Sequence, residues 1–229
     1  MVFVRLHTRS FLSILLVATA LLVGGCASLS DTQKGAVIGA GAGAAGGAII
    51  GKAAGGTAEG AIIGAAVGGA AGAIIGNQMD KKAEELDKEL ENAEVERVGE
   101  GIKITFDGGL LFDFDSAALR DRARTNLREF ATRMQDFEDT RILVVGHTDA
   151  KGAADYNRDL SERRADAAAA FLMEQGVAAD RIVSVGRGET EPVATNETEA
   201  GRQKNRRVEV AIYANEEYRE RVQAQTQGR

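Results

Sequence analysis

The stretch ILVVGHTDAKGAADYNRDLSERRA, residues 142–165, changes from a strand pattern to a helix pattern and decides the fold. Its first four residues are continuously apolar, which predicts a buried strand. Further along, five residues recur at the spacing of one helix face: Asn157, Leu160, Ser161, Arg164 and Ala165. The stretch therefore predicts a strand, a loop that carries Thr148 and Asp149, and a helix whose buried face includes a polar edge.

Asp149 ends the predicted strand, and Arg164 lies on the helix that follows, so the two charges are expected to lie close together. Two interpretations are open. The pair is a salt bridge that ties the loop to the helix, or it is a receptor for a zwitterion. In the second case Asp149 accepts hydrogen bonds from an ammonium group, and Arg164 binds a carboxylate through two parallel hydrogen bonds.

The flanking sequence predicts one globular domain over residues 98–213. Residues 102–106 alternate as a half-buried strand, and further strands are expected at 182–185 and 208–213. One helix is expected at 159–175. Another is marked by an apolar stripe: Leu119, Ala123, Leu127, Phe130, Met134 and Phe137. This order predicts an α+β fold, an α/β sandwich in which a mixed sheet carries helices on one face.

Three motifs of this region resemble the OmpA-like peptidoglycan-binding domain family. They are the turn at residues 146–149, the helix face described above, and the strand start Asn205-Arg206-Arg207-Val208-Glu209; Phe112-Asp113-Phe114-Asp115-Ser116 matches the family's entry motif. The resemblance implies that Asp149 and Arg164 bind the diaminopimelate of the cell-wall stem peptide. It also implies an outer-membrane lipoprotein of a glycine-zipper subgroup. The candidate ligand-binding residues are Asp149, Arg164, Asn157, Thr148, Asp113 and Asp115.

The N-terminus has the pattern of an export signal. Arg5 and Arg9 precede an apolar run, and small residues precede Cys26. The pattern resembles a bacterial lipobox and predicts a signal peptide over 1–25, with Cys26 lipidated by acyl chains such as palmitate and a spacer over 26–34. An ordinary secretory signal with an incidental cysteine is the alternative. Ala27 after the cysteine favours the outer membrane by the same resemblance, with the globular domain in the periplasm.

Glycine repeats every four residues from Gly35 to Gly55 and again from Gly56 to Gly76. This spacing aligns the glycines along one ridge of a helix, where another backbone can approach closely. We expect paired glycine-zipper helices over 35–79, joined near 55–57. Each uncharged half, 35–51 and 60–76, lies at the lower limit of the ~17 to 25 residues that span a bilayer. A soluble helical hairpin or a tether is the alternative to membrane association.

Residues 80–97 are rich in Lys, Glu and Asp with a narrow apolar seam, which predicts a charged helical linker that acts as a solvated spacer. A stable coiled coil over this short length is possible in principle. The last segment, 214–229, is polar and is expected to be a mobile or short helical tail.

Composition excludes several function classes. The net charge of -6 argues against a nucleic-acid partner, and the single Cys and two His argue against a zinc site. His147 is expected to be a hydrogen-bonding residue at a strand end rather than an acid or base, since no nucleophile accompanies it. The sequence therefore predicts no enzyme, no cofactor and no metal. It predicts a tether between membrane and peptidoglycan, with homo-oligomers possible. The alternative is a zipper oligomer or pore, anchored by the wall domain.

Overall fold

The computed structural model describes residues 55–228 of the chain. The strands are β1 Ala93–Val98, β2 Gly101–Asp107, β3 Thr140–His147, β4 Ile182–Gly188 and β5 Arg207–Ala214. The helices are α1 Thr57–Ala65, α2 Gly69–Glu89, α3 Gly108–Leu111, α4 Asp121–Gln135, α5 Ala154–Glu174, α6 Glu199–Asn205 and α7 Glu216–Gln227. The expected signal peptide, the lipidated Cys26 and the first zipper half lie outside these residues.

The five strands form one sheet in the order β1-β2-β5-β3-β4. Strands β3 and β4 are parallel and are joined through α5, while the other neighbouring pairs are antiparallel. The predicted α+β class and the mixed sheet are thus confirmed. The central position of β3 and β5 places the end of β3, and the loop after it, beside the start of β5.

One face of the sheet carries the main core. Alternate residues of the central strands point into it, among them Ile104, Val144 and Val210. Helices α2, α4, α5 and α7 contribute buried residues to this same core. The predicted stripe on α4 is buried as expected at four positions: Ala123, Leu127, Phe130 and Met134.

The second face of the sheet is covered by α1, so the expectation of helices on one face only was wrong. Ala58, Ala61, Ile62 and Ala65 of α1 form a small core with sheet residues from the opposite side: Leu143, Val145, Ala211 and Tyr213. The small side chains let α1 lie close to the strands. Because α1 belongs to the glycine-rich segment, part of the predicted zipper is built into the domain.

The glycine-rich segment also breaks where the repeat predicted a continuous helix. Gly68 and Gly69 have φ of 68° and 62°, in the left-handed region that glycine tolerates. The Glu100 carboxylate accepts hydrogen bonds from the backbone N–H groups of Val67 (2.9 Å) and Gly68 (2.7 Å) at the start of α2. A carboxylate at a helix N-terminus is electrostatically favourable, so Glu100 stabilises the start of α2 after the turn. No helix within residues 55–228 is both long and apolar enough to cross a membrane.

The predicted linker at 80–97 is not a solvated helical spacer. Helix α2 ends at Glu89, and residues 93–98 form the edge strand β1, which pairs with β2. The apolar seam of the segment is buried in the main core at Ala83, Leu86 and Leu90. The chain turns between α2 and β1 at Asn92, which has φ of 60°. In β1 small or apolar residues alternate with acids, so one side of the strand faces the core and the other faces solvent.

The polar tail is likewise part of the domain. Asn215 caps α7 by accepting a hydrogen bond from the backbone N–H of Tyr218 at 2.8 Å. Tyr218 and Val222 are buried in the main core. Two apolar residues in a polar segment of this length were too few to predict that the helix packs on the core.

A close contact between α5 and the parallel strands fixes the position of the helix. A Cβ atom added to Gly146 would lie 2.1 Å from the backbone oxygen of Ser161, and one added to Gly186 would lie 2.4 Å from the backbone nitrogen of Glu162. Only glycine allows this approach at either strand. The contact holds the first half of α5 beside the end of β3.

Docking of α1 can be tested by truncating its buried isoleucine. Ile62→Ala should lower the free energy of unfolding by about 2 to 4 kcal/mol, because it leaves a cavity against the sheet. Ile63→Ala, one residue along on a partly exposed side, should cost clearly less. Urea unfolding of the two purified variants measures the difference. Equal and small effects would mean that α1 does not rest on the sheet.

Candidate ligand site

A cavity of about 370 Å³ opens beside the end of β3, between the loop after α3, the start of α5 and the region of α6. All six ligand-binding candidates from the sequence line it: Asp113, Asp115, Thr148, Asp149, Asn157 and Arg164. The sequence-predicted residues are therefore brought together in one place. The close contact of α5 with β3 explains how helix and strand residues reach the same cavity.

Asp149 is buried at the base of the loop after β3, and its carboxylate is already oriented. Oδ1 accepts a hydrogen bond from the backbone N–H of Lys151 at 2.9 Å, and Oδ2 accepts one from Arg206 Nη1 at 2.5 Å. Arg206 also donates to Glu199 at 2.9 Å. The charge partner of Asp149 is thus Arg206, and the salt bridge to Arg164 that we considered from the sequence is not formed.

Arg164 is buried on α5 and is held by backbone oxygens instead of a carboxylate. Its Nε donates to the carbonyl oxygen of Ser116 at 2.9 Å, and its Nη2 to that of Asp113 at 3.4 Å. The guanidinium lies 5.2 Å from the centre of the Phe112 ring, a favourable cation–π distance. Burial lowers the pKa of Arg164, but an arginine remains charged at neutral pH. Within residues 55–228, no hydrogen bond occupies its Nη1.

Asn157 organises the loop that carries Asp149. Its side-chain amide donates toward the carbonyl oxygens of Asp149 (3.2 Å) and Lys151 (3.1 Å) and toward the Glu189 carboxylate (2.6 Å). With its N–H groups shared among three acceptors, Asn157 positions the loop and has little donor capacity left for a ligand.

Thr148 lines the cavity, but its hydroxyl is enclosed by the protein. Its backbone N–H donates to Gly188 at 2.9 Å, whereas its buried hydroxyl has no hydrogen-bond partner in the described part of the chain. A buried hydroxyl without a partner costs free energy. In this conformation the Thr148 hydroxyl does not reach a ligand in the cavity, so the residue contributes its position at the cavity wall.

The entry motif, residues 112–116, lines the cavity with two acids that each have a partner in the protein. Asp113 Oδ1 is ion-paired with Arg120 at 2.6 Å, and Asp115 accepts a hydrogen bond from the hydroxyl of Tyr156. That bond raises the pKa of Tyr156. Neither carboxylate pairs with Arg164, since only backbone oxygens of the loop reach that guanidinium. The two acids shape the entrance.

Arg206, Glu199, Lys151, Tyr156 and Phe114 also line the cavity, and sequence reasoning did not select them. Arg206 lies in the strand-start motif, but it is 57 residues from Asp149, so spacing alone could not join the two. The signal available in the sequence was the alternation of side chains between the two faces of β5. Arg207 and Glu209 point to the second face of the sheet and pair there at 2.7 Å. Arg206 comes just before the strand, so it points away from that face and toward the cavity.

His147 lies on that second face, away from the cavity. Neither ring nitrogen has a hydrogen-bond partner among the residues described, and the Glu209 carboxylate is 3.7 Å away, so the hydrogen-bonding role expected for it is not seen. Burial lowers the pKa of His147. Burial would raise the pKa of Glu209, but contacts with His147 and Arg207 outweigh it and lower that pKa to about 2.

The cavity thus presents charges of both signs side by side. Arg164 and Asp149 are each fixed by other groups of the protein, and each retains unused hydrogen-bonding capacity, since a carboxylate has about four lone-pair sites. Such an arrangement suits a small ligand that carries an ammonium and a carboxylate.

Two family models match different parts of the chain. Residues 111–206 match the family model described as OmpA family, and residues 7–80 match the one described as YMGG-like Gly-zipper. The chain is 37% identical over 118 residues to the probable lipoprotein YiaD of Escherichia coli, covering 52% of this chain and 54% of that one. It is 38% identical over 105 residues to the peptidoglycan-binding protein ArfA of Mycobacterium bovis, covering 46% and 32%.

Among solved structures, the cell wall anchor of the T6SS from Pseudomonas aeruginosa is similar, with a TM-score of 0.53 and 33% identity. The match covers 60% of this chain and 97% of that one. The chain spans only about half or less of the length of the curated relatives described above. By contrast, it covers nearly all of this solved domain.

Proposed function

We propose, from the premise that this chain belongs to the OmpA family through its C-terminal domain, that it binds peptidoglycan non-covalently through the diaminopimelate of the stem peptide. One observation carries the proposal. A buried carboxylate, Asp149, and a buried guanidinium, Arg164, line the same cavity without pairing with each other. The side chain of diaminopimelate ends in an ammonium and a carboxylate on one carbon, so it can engage both.

Asp149 takes the ammonium in this account. Its carboxylate accepts two hydrogen bonds from the protein and has room for a charge-assisted bond from the ligand. Arg206 keeps the carboxylate oriented, because it donates a hydrogen bond to Oδ2.

Arg164 takes the ligand carboxylate. Its guanidinium is fixed by two backbone oxygens and by the Phe112 ring, so little conformational entropy is lost when the ligand binds. The donors that face no protein acceptor remain for the ligand. Amino acids without the second carboxylate, such as lysine, satisfy Asp149 alone.

Attachment to the outer membrane completes the proposed function. The lipobox-like sequence before Cys26 and the similarity to a probable lipoprotein support a lipid anchor at that residue. Two or more acyl chains provide stable membrane attachment. The domain would then link the membrane to the wall from the periplasmic side.

The alternative of a zipper pore receives less support. Helix α1 rests on the sheet, and α2 contributes Ile75, Met79 and Leu86 to the main core. These two helices serve the wall domain in the described structure. We therefore favour the tether as the function. Chemical crosslinking of the chain in membranes tests for zipper oligomers directly.

Cosedimentation with isolated sacculi tests the proposal. The full chain should pellet with diaminopimelate-containing sacculi and much less with lysine-containing ones. Asp149→Asn should lower the pelleted fraction, and Asp159→Asn, an exposed acid on α5, should not. Equal pelleting with both kinds of sacculi, unaffected by Asp149→Asn, would overturn the assignment.

A further inference from the structure

Phe114 is almost fully exposed to solvent, unlike the other phenylalanines that the structure describes. Its relative exposure is 98%, whereas Phe106, Phe112, Phe130, Phe137 and Phe171 are buried. Phe114 lines the mouth of the cavity, so its exposure is local to the proposed site. An exposed aromatic ring beside a ligand cavity is a common feature of recognition surfaces.

The loop holds the ring outward by constraints on both neighbours. Asp113 is fixed by Arg120, and Asp115 by the Tyr156 hydroxyl. Asp115 has φ of 57°, a conformation that costs energy for a residue other than glycine. The loop therefore adopts an unfavourable backbone conformation and also exposes an apolar ring to water. A ligand that covers the ring would remove the unfavourable exposure.

The surroundings of the ring favour a sugar. The Asp113 and Asp115 carboxylates flank it, and each has an Oδ2 atom without a hydrogen-bond partner in the described region. A pyranose has one face of C–H groups that packs on an aromatic ring, and hydroxyl and amide N–H donors at its edge. Tyr156, 43% exposed, adds a second aromatic surface at the same mouth.

We infer that Phe114, with the acids on either side of it, forms a subsite for an N-acetylated amino sugar of the glycan. The inference rests on the proposed function. When diaminopimelate occupies the cavity, glutamate and alanine precede it in the stem, and a lactyl group joins the alanine to the muramyl sugar. The sugar therefore lies about three residue lengths away, roughly 10 to 11 Å along an extended chain. That length carries the sugar out of the cavity of about 370 Å³ to its mouth, where the exposed Phe114 ring lies. The stem-peptide alanine is the competing occupant.

Calorimetry with the full chain and two soluble ligands separates these cases. One ligand is the free stem tripeptide that ends in diaminopimelate; the other is the same tripeptide attached to its disaccharide. The wild type should bind the disaccharide form about three- to tenfold more tightly. Phe114→Ala should remove that advantage and leave tripeptide affinity within about twofold, while Phe114→Trp should keep it. Val183→Ala, another exposed apolar residue but outside the cavity, is the control.

Three results would overturn the inference. They are equal wild-type affinities for the two ligands, an advantage that survives Phe114→Ala, and a loss of tripeptide binding in that variant, which would place the peptide on the ring. In each of them the tripeptide still binds the wild type, so the proposed function stands. Failure of the wild type to bind the tripeptide at all would instead overturn the proposed function.

Discussion

Replacing Arg164 by Gln is expected to lower the affinity of the chain for diaminopimelate-containing sacculi at least about tenfold. The variant loses charge-assisted hydrogen bonds to the ligand carboxylate, each worth about 1.5 to 3 kcal/mol, and about 1.4 kcal/mol is a factor of ten. Arg164→Lys should restore little of the loss. An ammonium cannot donate to Ser116, Asp113 and a ligand carboxylate in the planar pattern of a guanidinium.

The matched control is Arg163→Gln, on the same helix but exposed. It removes the same charge one residue away and should leave binding within about twofold. Because Arg164 also holds the entry loop, the thermal midpoint of each variant should be recorded with the binding curve. Binding by Arg164→Gln that matches Arg163→Gln would exclude Arg164 from the site.

Gly146→Ala is expected to have the largest effect on the fold. The added Cβ would lie 2.1 Å from the Ser161 backbone oxygen, so α5 must move away from β3 or the domain must lose stability. We expect a cost of about 3 to 5 kcal/mol, at the upper end of single substitutions. Sacculus binding should fall as well, since α5 carries Asn157 and Arg164.

Gly76→Ala is the control for this prediction. Its Cβ would meet only the far end of the Arg97 side chain at 3.8 Å, and an alanine within α2 should be neutral or stabilising by about 0.5 to 1 kcal/mol. Urea unfolding of both variants gives the comparison. Similar stabilities would mean that α5 does not depend on the close approach at Gly146.

The local parts of the fold and the site could be predicted from the sequence. The apolar run 142–145 formed a buried strand, and the spacing from Asn157 to Arg164 placed both residues on the helix face that meets the cavity. These patterns depend on neighbours a few residues apart, where strand and helix periodicity decide which side chains share a face.

The long-range parts could not be predicted. Helix α1 is rich in glycine and alanine on all sides, so its sequence did not indicate which surface would be buried. The alternation in Ala93-Glu94-Val95-Glu96 was a readable strand signal, but the charged helix before it dominated the interpretation. The pairing of Arg206 with Asp149 depends on the order of strands in the sheet, which local spacing does not encode.

Calorimetry with three soluble stem peptides measures whether the cavity recognises both charges of the diaminopimelate side chain. The peptides carry diaminopimelate as the free acid, diaminopimelate with its side-chain carboxylate amidated, or lysine. If Asp149 and Arg164 bind the two charges of the side chain, the free acid should bind at least about tenfold more tightly than either of the others. The Arg164→Gln variant should no longer distinguish the three. Equal affinities of the wild type for all three peptides would mean that Asp149 and Arg164 do not recognise the side-chain charges and that contacts with the peptide backbone carry the binding.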